Sequence, residues 1–188
     1  MRPNTSNVNG RDPVDLAISF TMAIRAKETE RHDYAATLVW TGAKAGPTSS
    51  YQAYSREYEY QCGDKPAVRG SADPIFRGDA SLYNPEELLL VALSTCHLLS
   101  YLALCARAGV QVVSYEDDAH GTMTVHDGKV RFTDAVLRPR VTVAAGTNLE
   151  RAQALHDAAH DECYIASSVN FPVRHEPTIS VTAQGKGE

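Results

Sequence analysis

The feature that most constrains this chain is a stretch of unbroken apolar character, Leu88 to Ala106, which contains no Lys, Arg, Asp or Glu. The residues on either side mark it as a helix. Asn84 is placed to cap free amides, Pro85 suits the first helical position, and Glu86 and Glu87 sit where the helix dipole favours anions. Arg107 falls in the last turn, and Gly109 can take the left-handed conformation that ends many helices. A helix that is apolar on every face must be buried on every face. About 20 apolar residues also span a bilayer, but Ser94, Thr95, His97 and Ser100 interrupt the middle, no second such run exists, and no basic flank sets an orientation. The helix therefore belongs at the centre of a soluble core. In its middle stands Cys96, next to His97.

The rest of the chain limits what that core can serve. A length of 188 residues suits one domain, and 43% hydrophobic with 22% charged residues is a globular composition. A formal net charge of −5 argues against nucleic acid as the main partner. The four cysteines, Cys62, Cys96, Cys105 and Cys163, are too few and too scattered for a disulfide scaffold, and no CxxC occurs. No basic leader precedes the short apolar run Leu16 to Ile24, so the expected setting is reducing and cytoplasmic. Residues 1–33 read as an N-terminal appendage. Its start is polar and turn-rich, with Met22 a possible alternative initiator, and residues 34–188 read as the folded domain.

Along that domain, Tyr34–Thr41 predicts a strand. Tyr51–Gln61 alternates as a second strand, with Tyr54, Arg56, Tyr58 and Tyr60 on one face. Residues 65–83 form a long irregular loop. After the helix come a strand at Val110–Tyr115, a hairpin around His126-Asp127-Gly128, and a strand Ala135–Ala144 with Pro139 at a bulge or edge. Asn148 then caps a second helix that carries Cys163 near its end, and a strand over Val173–Ala183 closes the chain. The pattern predicts an α+β fold with antiparallel sheets packed on two helices. One cysteine on each of two packed helices can form a reversible pair if their Cα atoms come within about 7 Å. Two inert buried thiols are the competing reading.

The segments NPEELLLVALSTCHLLSYL and LHDAAHDECYIASSVNFPV resemble the two cysteine helices of the OsmC/Ohr family of organic hydroperoxide reductases. YEDDAHGTM and VLRPRVTV resemble the strands between them, in a branch whose first cysteine is followed by His. The resemblance covers about Tyr34 to Ile179. It implies an intertwined homodimer with sheets wrapped around two central helices and with active sites at the interface. It also implies that Cys96 is the peroxidatic and Cys163 the resolving cysteine. Organic hydroperoxide is then the substrate, and a small dithiol such as a lipoyl group the reductant, with no metal or cofactor, nucleic acid or membrane involved. Leu89, Leu93 and Leu99 offer apolar walls for a bulky peroxide. The family activates its cysteine with an Arg held by a Glu. The Glu maps to Glu86, and the Arg to Arg77 by its spacing before NPEE or to Arg56 by the YSR sequence.

Cys62 and Cys105 read as structural. Cys105 lies nine residues beyond Cys96, on the opposite side of the helix. His97 points about 100° away from Cys96 and suits a core or interface hydrogen bond better than the role of a base. Two rival readings remain. His156, His160 and Cys163 recur at helical spacing and offer a metal site, although Asp157 and Asp161 suggest a wet surface there. The other rival is a non-catalytic dimeric binding module on the same fold.

Overall fold

A computed structural model describes residues 31–182. The proposed appendage, including Met22, lies almost wholly outside the described residues. Among the described residues nine strands and two α-helices follow one another as β1 (Thr37–Trp40), β2 (Tyr58–Gln61), β3 (Val68–Gly70), α1 (Pro85–Ala108), β4 (Val112–Asp117), β5 (His120–His126), β6 (Lys129–Leu137), β7 (Pro139–Val143), α2 (Leu149–Asp161), β8 (Val173–His175) and β9 (Thr178–Val181).

Helix α1 begins and ends as its sequence dictates. The Asn84 side chain accepts from the Glu87 amide at 2.8 Å, and the Glu87 carboxylate accepts from the Asn84 amide at 3.1 Å, which is a closed capping box. Gly109 ends the helix at φ 70°. Helix α2 is capped by Asn148, whose side chain accepts from the Arg151 amide at 3.0 Å. Its buried residues, Ala152, Leu155, His156 and Ala159, follow the spacing of a single helical stripe.

The sheets are mixed rather than wholly antiparallel. Three sheets form, in strand orders β1-β2-β3, β4-β7-β9 and β5-β6-β8, and the pairs β6/β8 and β7/β9 are parallel. Two stretches that read as single strands each break in two and change sheet. The first breaks at Arg138, between β6 and β7, and the second at Glu176-Pro177, between β8 and β9. Both breaks occur at one level, with Leu137 opposite His175 and Arg140 opposite Thr178. Pro177 lacks the N–H that a continuous ladder needs. The Arg138–Glu176 ion pair at 2.9 Å closes the corner. Asp117 pins α1 to the same corner, accepting from Ser94 Oγ at 2.5 Å and from the Arg138 amide at 2.6 Å. The β5–β6 hairpin turns through Asp127 and Gly128, both at positive φ, as a two-residue turn of this hand requires.

Two cores result. One joins Tyr101, Leu104 and Cys105 of α1 to Ala152, Leu155 and Ala159 of α2 over Val141 and Val143 of β7. The other packs Leu93 against Ala135 and Leu137 of β6. Contrary to the sequence expectation, α1 is not buried all round within its own chain. Only Leu93, His97, Tyr101, Leu104 and Cys105 are buried, a single stripe, while Leu99 is 66% exposed. The alternating stretch before β2 also departs from expectation. Only Tyr58–Gln61 is strand, and residues 51–56 coil around Arg56.

Candidate active site

Cys96 lies mid-way along α1, half-buried. Cys163 lies two residues beyond α2, not within it, and is 1% exposed. The chain leaves the helix so that the Cys163 amide donates to the His160 carbonyl at 3.1 Å, and the Ala166 amide points at Cys163 Sγ at 3.4 Å. Cys163 and Cys96 are neighbours, close enough for Cys96 to act on the Cys163 thiol, and no disulfide joins them. Burial, first, and then the neighbouring Cys96 push the Cys163 thiol up to about 11, against stabilising backbone amides. Cys163 is therefore a protonated thiol at neutral pH.

Cys105 is buried in the α1–α2 core beside Tyr101, and burial pushes its thiol up to about 11. Cys62 stands apart, at the end of β2. Neither touches the Cys96–Cys163 pair.

The charged residues expected around Cys96 are not assembled within the described chain. Arg56 donates to the Tyr51 and Tyr54 carbonyls, and its guanidinium lies 4.4 and 4.0 Å from the centres of their rings. Arg77 is exposed, in the left-handed conformation at φ 68°, and its side chain has no partner among the described residues. Glu86 is half-buried, and its Oε2 is sealed from solvent without a hydrogen-bond partner. It lines a cavity of about 440 Å³ shared with Ile75, Phe76, Leu90, Met123 and Phe132. Cys96 and Cys163 do not line this cavity, and neither do Leu89, Leu93 and Leu99; Leu93 is sealed in the core and Leu99 faces outward.

His97 makes the core hydrogen bond expected of it, whereas the His156 face of α2, expected to be wet, is buried. His97 and His156 are both fully buried, not wet, and hydrogen-bond ring to ring, Nε2 to Nδ1, at 3.1 Å. His156 stacks on Tyr101 with ring centres 3.8 Å apart, and His175 of β8 stacks on His97 at 5.5 Å. His175 pairs with Asp157 at 2.9 Å. Burial, then neighbouring histidines, lowers His97 to about 4 and His156 to about 3, so both rings are neutral. Among the described residues no group of three His, Cys, Asp or Glu side chains is disposed to hold a metal ion. Each buried ring uses one nitrogen in this bond, and the other, His97 Nδ1 or His156 Nε2, is sealed without a hydrogen-bond partner. The sequence signal for this column was present but overlooked: His156 falls within the apolar stripe of α2.

Fold and thiol pair together define a class of cysteine-pair proteins built on two central helices. The chain belongs to the OsmC-like protein family, whose profile matches residues 78–178, a span that includes Glu86, Cys96 and Cys163. It is 29% identical to an OsmC-like protein of unknown function from Vibrio cholerae, whose structure superposes with a TM-score of 0.73 over 79% of this chain and 100% of that one. An organic hydroperoxide resistance protein from Elizabethkingia anophelis shares the fold at a TM-score of 0.60 and 15% identity, over 82% of this chain and 99% of that one. The chain is also 26% identical over 106 residues to the uncharacterised protein YmaD of Bacillus subtilis, covering 55% of this chain and 71% of YmaD.

Proposed function

We propose that this chain is a thiol-dependent peroxidase that reduces organic hydroperoxides to alcohols. The observation that carries the reading is the proximity of two unbridged cysteines from separate segments, Cys96 half-buried on α1 and Cys163 sealed just past α2, with Cys96 acting on the Cys163 thiol. The Cys96 thiolate attacks the distal oxygen of ROOH. The O–O bond breaks, sulfur gains OH, and the alkoxide leaves and takes a proton to become ROH. The Cys163 thiol then attacks the sulfenic sulfur, forming the Cys96–Cys163 disulfide and releasing water. An external dithiol, a lipoyl group being the expected kind, reduces the disulfide in two exchange steps and is itself oxidised to a cyclic disulfide.

The unpartnered Glu86 oxygen supports a guanidinium docking there when the site is complete, and Arg77, free of partners among the described residues, is the better candidate than the engaged Arg56. The exposed apolar face of α1 supports a homodimer. The test is consumption of an alkyl hydroperoxide by purified protein with a small dithiol as the only reductant. Turnover is expected, and Cys96→Ser should abolish it. A wild-type protein that consumes no peroxide with any dithiol would establish the alternative, a binding module on the same fold.

A further inference from the structure

Two pairs of side chains lie between α1 and the segment containing α2 and Cys163: His97 bonds ring to ring to His156 at 3.1 Å, and Cys96 neighbours Cys163 closely enough to act on its thiol. They are linked by covalent geometry. His97 follows Cys96 directly on a rigid helix, and His156 lies in the second-last turn of α2, seven residues before Cys163, which the end of that helix positions. We propose that the His97–His156 pair is a positioning clamp, fixing the rotation of α1 against α2 so that the Cys96 and Cys163 sulfurs meet. This rests on the peroxidase reading for its use, but the clamp itself is a property of the thiol pair.

The pair is placed for this role by its surroundings. Both rings are sealed from solvent, and their planes lie 12° apart. His156 is fixed from behind by Tyr101, whose hydroxyl donates to the Ala152 carbonyl at 3.2 Å and so ties α1 to α2 a second time. His97 is backed by His175, which Asp157 holds at 2.9 Å, and His160 completes the column beside His175. The polar bond in this apolar setting is directional, whereas packing of Leu and Ala is not. Direction matters because disulfide formation tolerates little error: the sulfurs must close to about 2.05 Å. A helix side-chain tip lies about 5 Å from the axis, so a rotation of about 20° displaces the Cys96 sulfur by more than 1 Å.

The experiment measures the equilibrium between the Cys96–Cys163 dithiol and disulfide in a defined dithiol/disulfide buffer, without peroxide. His97→Phe and His156→Phe each keep an aromatic ring but remove the bond. Each is expected to lower the oxidation equilibrium constant tenfold or more, which raises the reduction potential by about 30 mV per tenfold. His97→Gln, which can donate or accept, should restore the constant to within about threefold of wild type. A role confined to holding the fold would lower the melting temperature and leave this constant unchanged. If one Phe variant fails to fold, the other supplies the reading. A folded Phe variant within twofold of wild type overturns the clamp alone. A wild-type protein that forms no Cys96–Cys163 disulfide in oxidising buffer overturns the thiol-pair mechanism and the clamp with it.

Discussion

Acidification from pH 7 to pH 5 should destabilise this protein strongly through two side chains that make no contact with solvent. His97 and His156 are neutral in the fold because burial lowers them from about 6.5 to about 4 and about 3. The sign follows from linkage. Above pH 6.5 neither the folded nor the unfolded chain protonates these rings, so they contribute no pH dependence. As the pH falls below 6.5 the unfolded chain binds protons first, and stability declines until the folded rings titrate near pH 4 and 3. At pH 5 the deficit is about 2 kcal/mol for each ring, about 4 kcal/mol for the pair. Against typical urea m-values that is a fall in the unfolding midpoint of about 2 M. The assay is urea unfolding followed by far-UV circular dichroism at pH 7, 6 and 5, in wild type and in His97→Phe/His156→Phe. The double variant keeps aromatic rings on Tyr101 and His175 but has no proton to take up, so its midpoint should move far less over this range, in which His160, His175 and Asp157 remain as neighbours. A wild-type midpoint that shifts by less than about 0.3 M, or a double variant with the same pH dependence as wild type, would refute the buried neutral pair.

Cys163→Ser should react with one equivalent of organic peroxide and then stall with Cys96 as sulfenic acid or beyond, detected as added oxygen mass on the Cys96 peptide. Alanine at the activating arginine should move the pH profile of Cys96 alkylation to higher pH and cut peroxidase activity at least tenfold. Arg77→Ala is expected to do this and Arg56→Ala to do less, and unchanged profiles in both variants would remove arginine from the mechanism. Leu99→Asp, on the exposed face of α1, should convert a dimer to monomer by light scattering at micromolar concentration and abolish peroxide turnover.

What the sequence made legible is what local chemistry decides. The bounds of α1 follow from Asn84, Glu87 and Gly109, whose capping interactions need no information from elsewhere in the chain. The hairpin at Asp127-Gly128 is equally local. The splitting of Ala135–Ala144 and Val173–Ala183 was not legible, because each stretch is individually a good strand. The breaks are fixed by their meeting at one corner, where Asp117, Arg138 and Glu176 arrive from three elements. The strand expected over Tyr51–Gln61 failed for a related reason. Arg56 finds two tyrosine faces and two carbonyls in a coil, a local gain that competes with extended pairing. The buried histidine column was misread because Asp157 and Asp161 flank it in sequence, although a helix puts neighbours on different faces. Asp157 is 83% exposed while His156, adjacent to it, is sealed.

The gap between an all-apolar helix and a single buried stripe points to how this fold is completed. Only 28% of the most apolar window of α1 is buried within the chain, at a mean hydropathy of 2.0. Val91, Leu99 and Leu102 face outward, and fully burying each such side chain is worth about 1.5–3 kcal/mol. The β1–β3 sheet has the reverse need. Its strands have four, four and three residues, all of β1 is exposed, including Leu38 and Val39, and the sheet packs extensively on no other element of its own chain among the described residues. Strands this short require a packed face to be stable. A helix face without a cover and a sheet without a floor, carried by one sequence, would each find its complement in the proposed homodimer if two copies exchanged them about a two-fold axis.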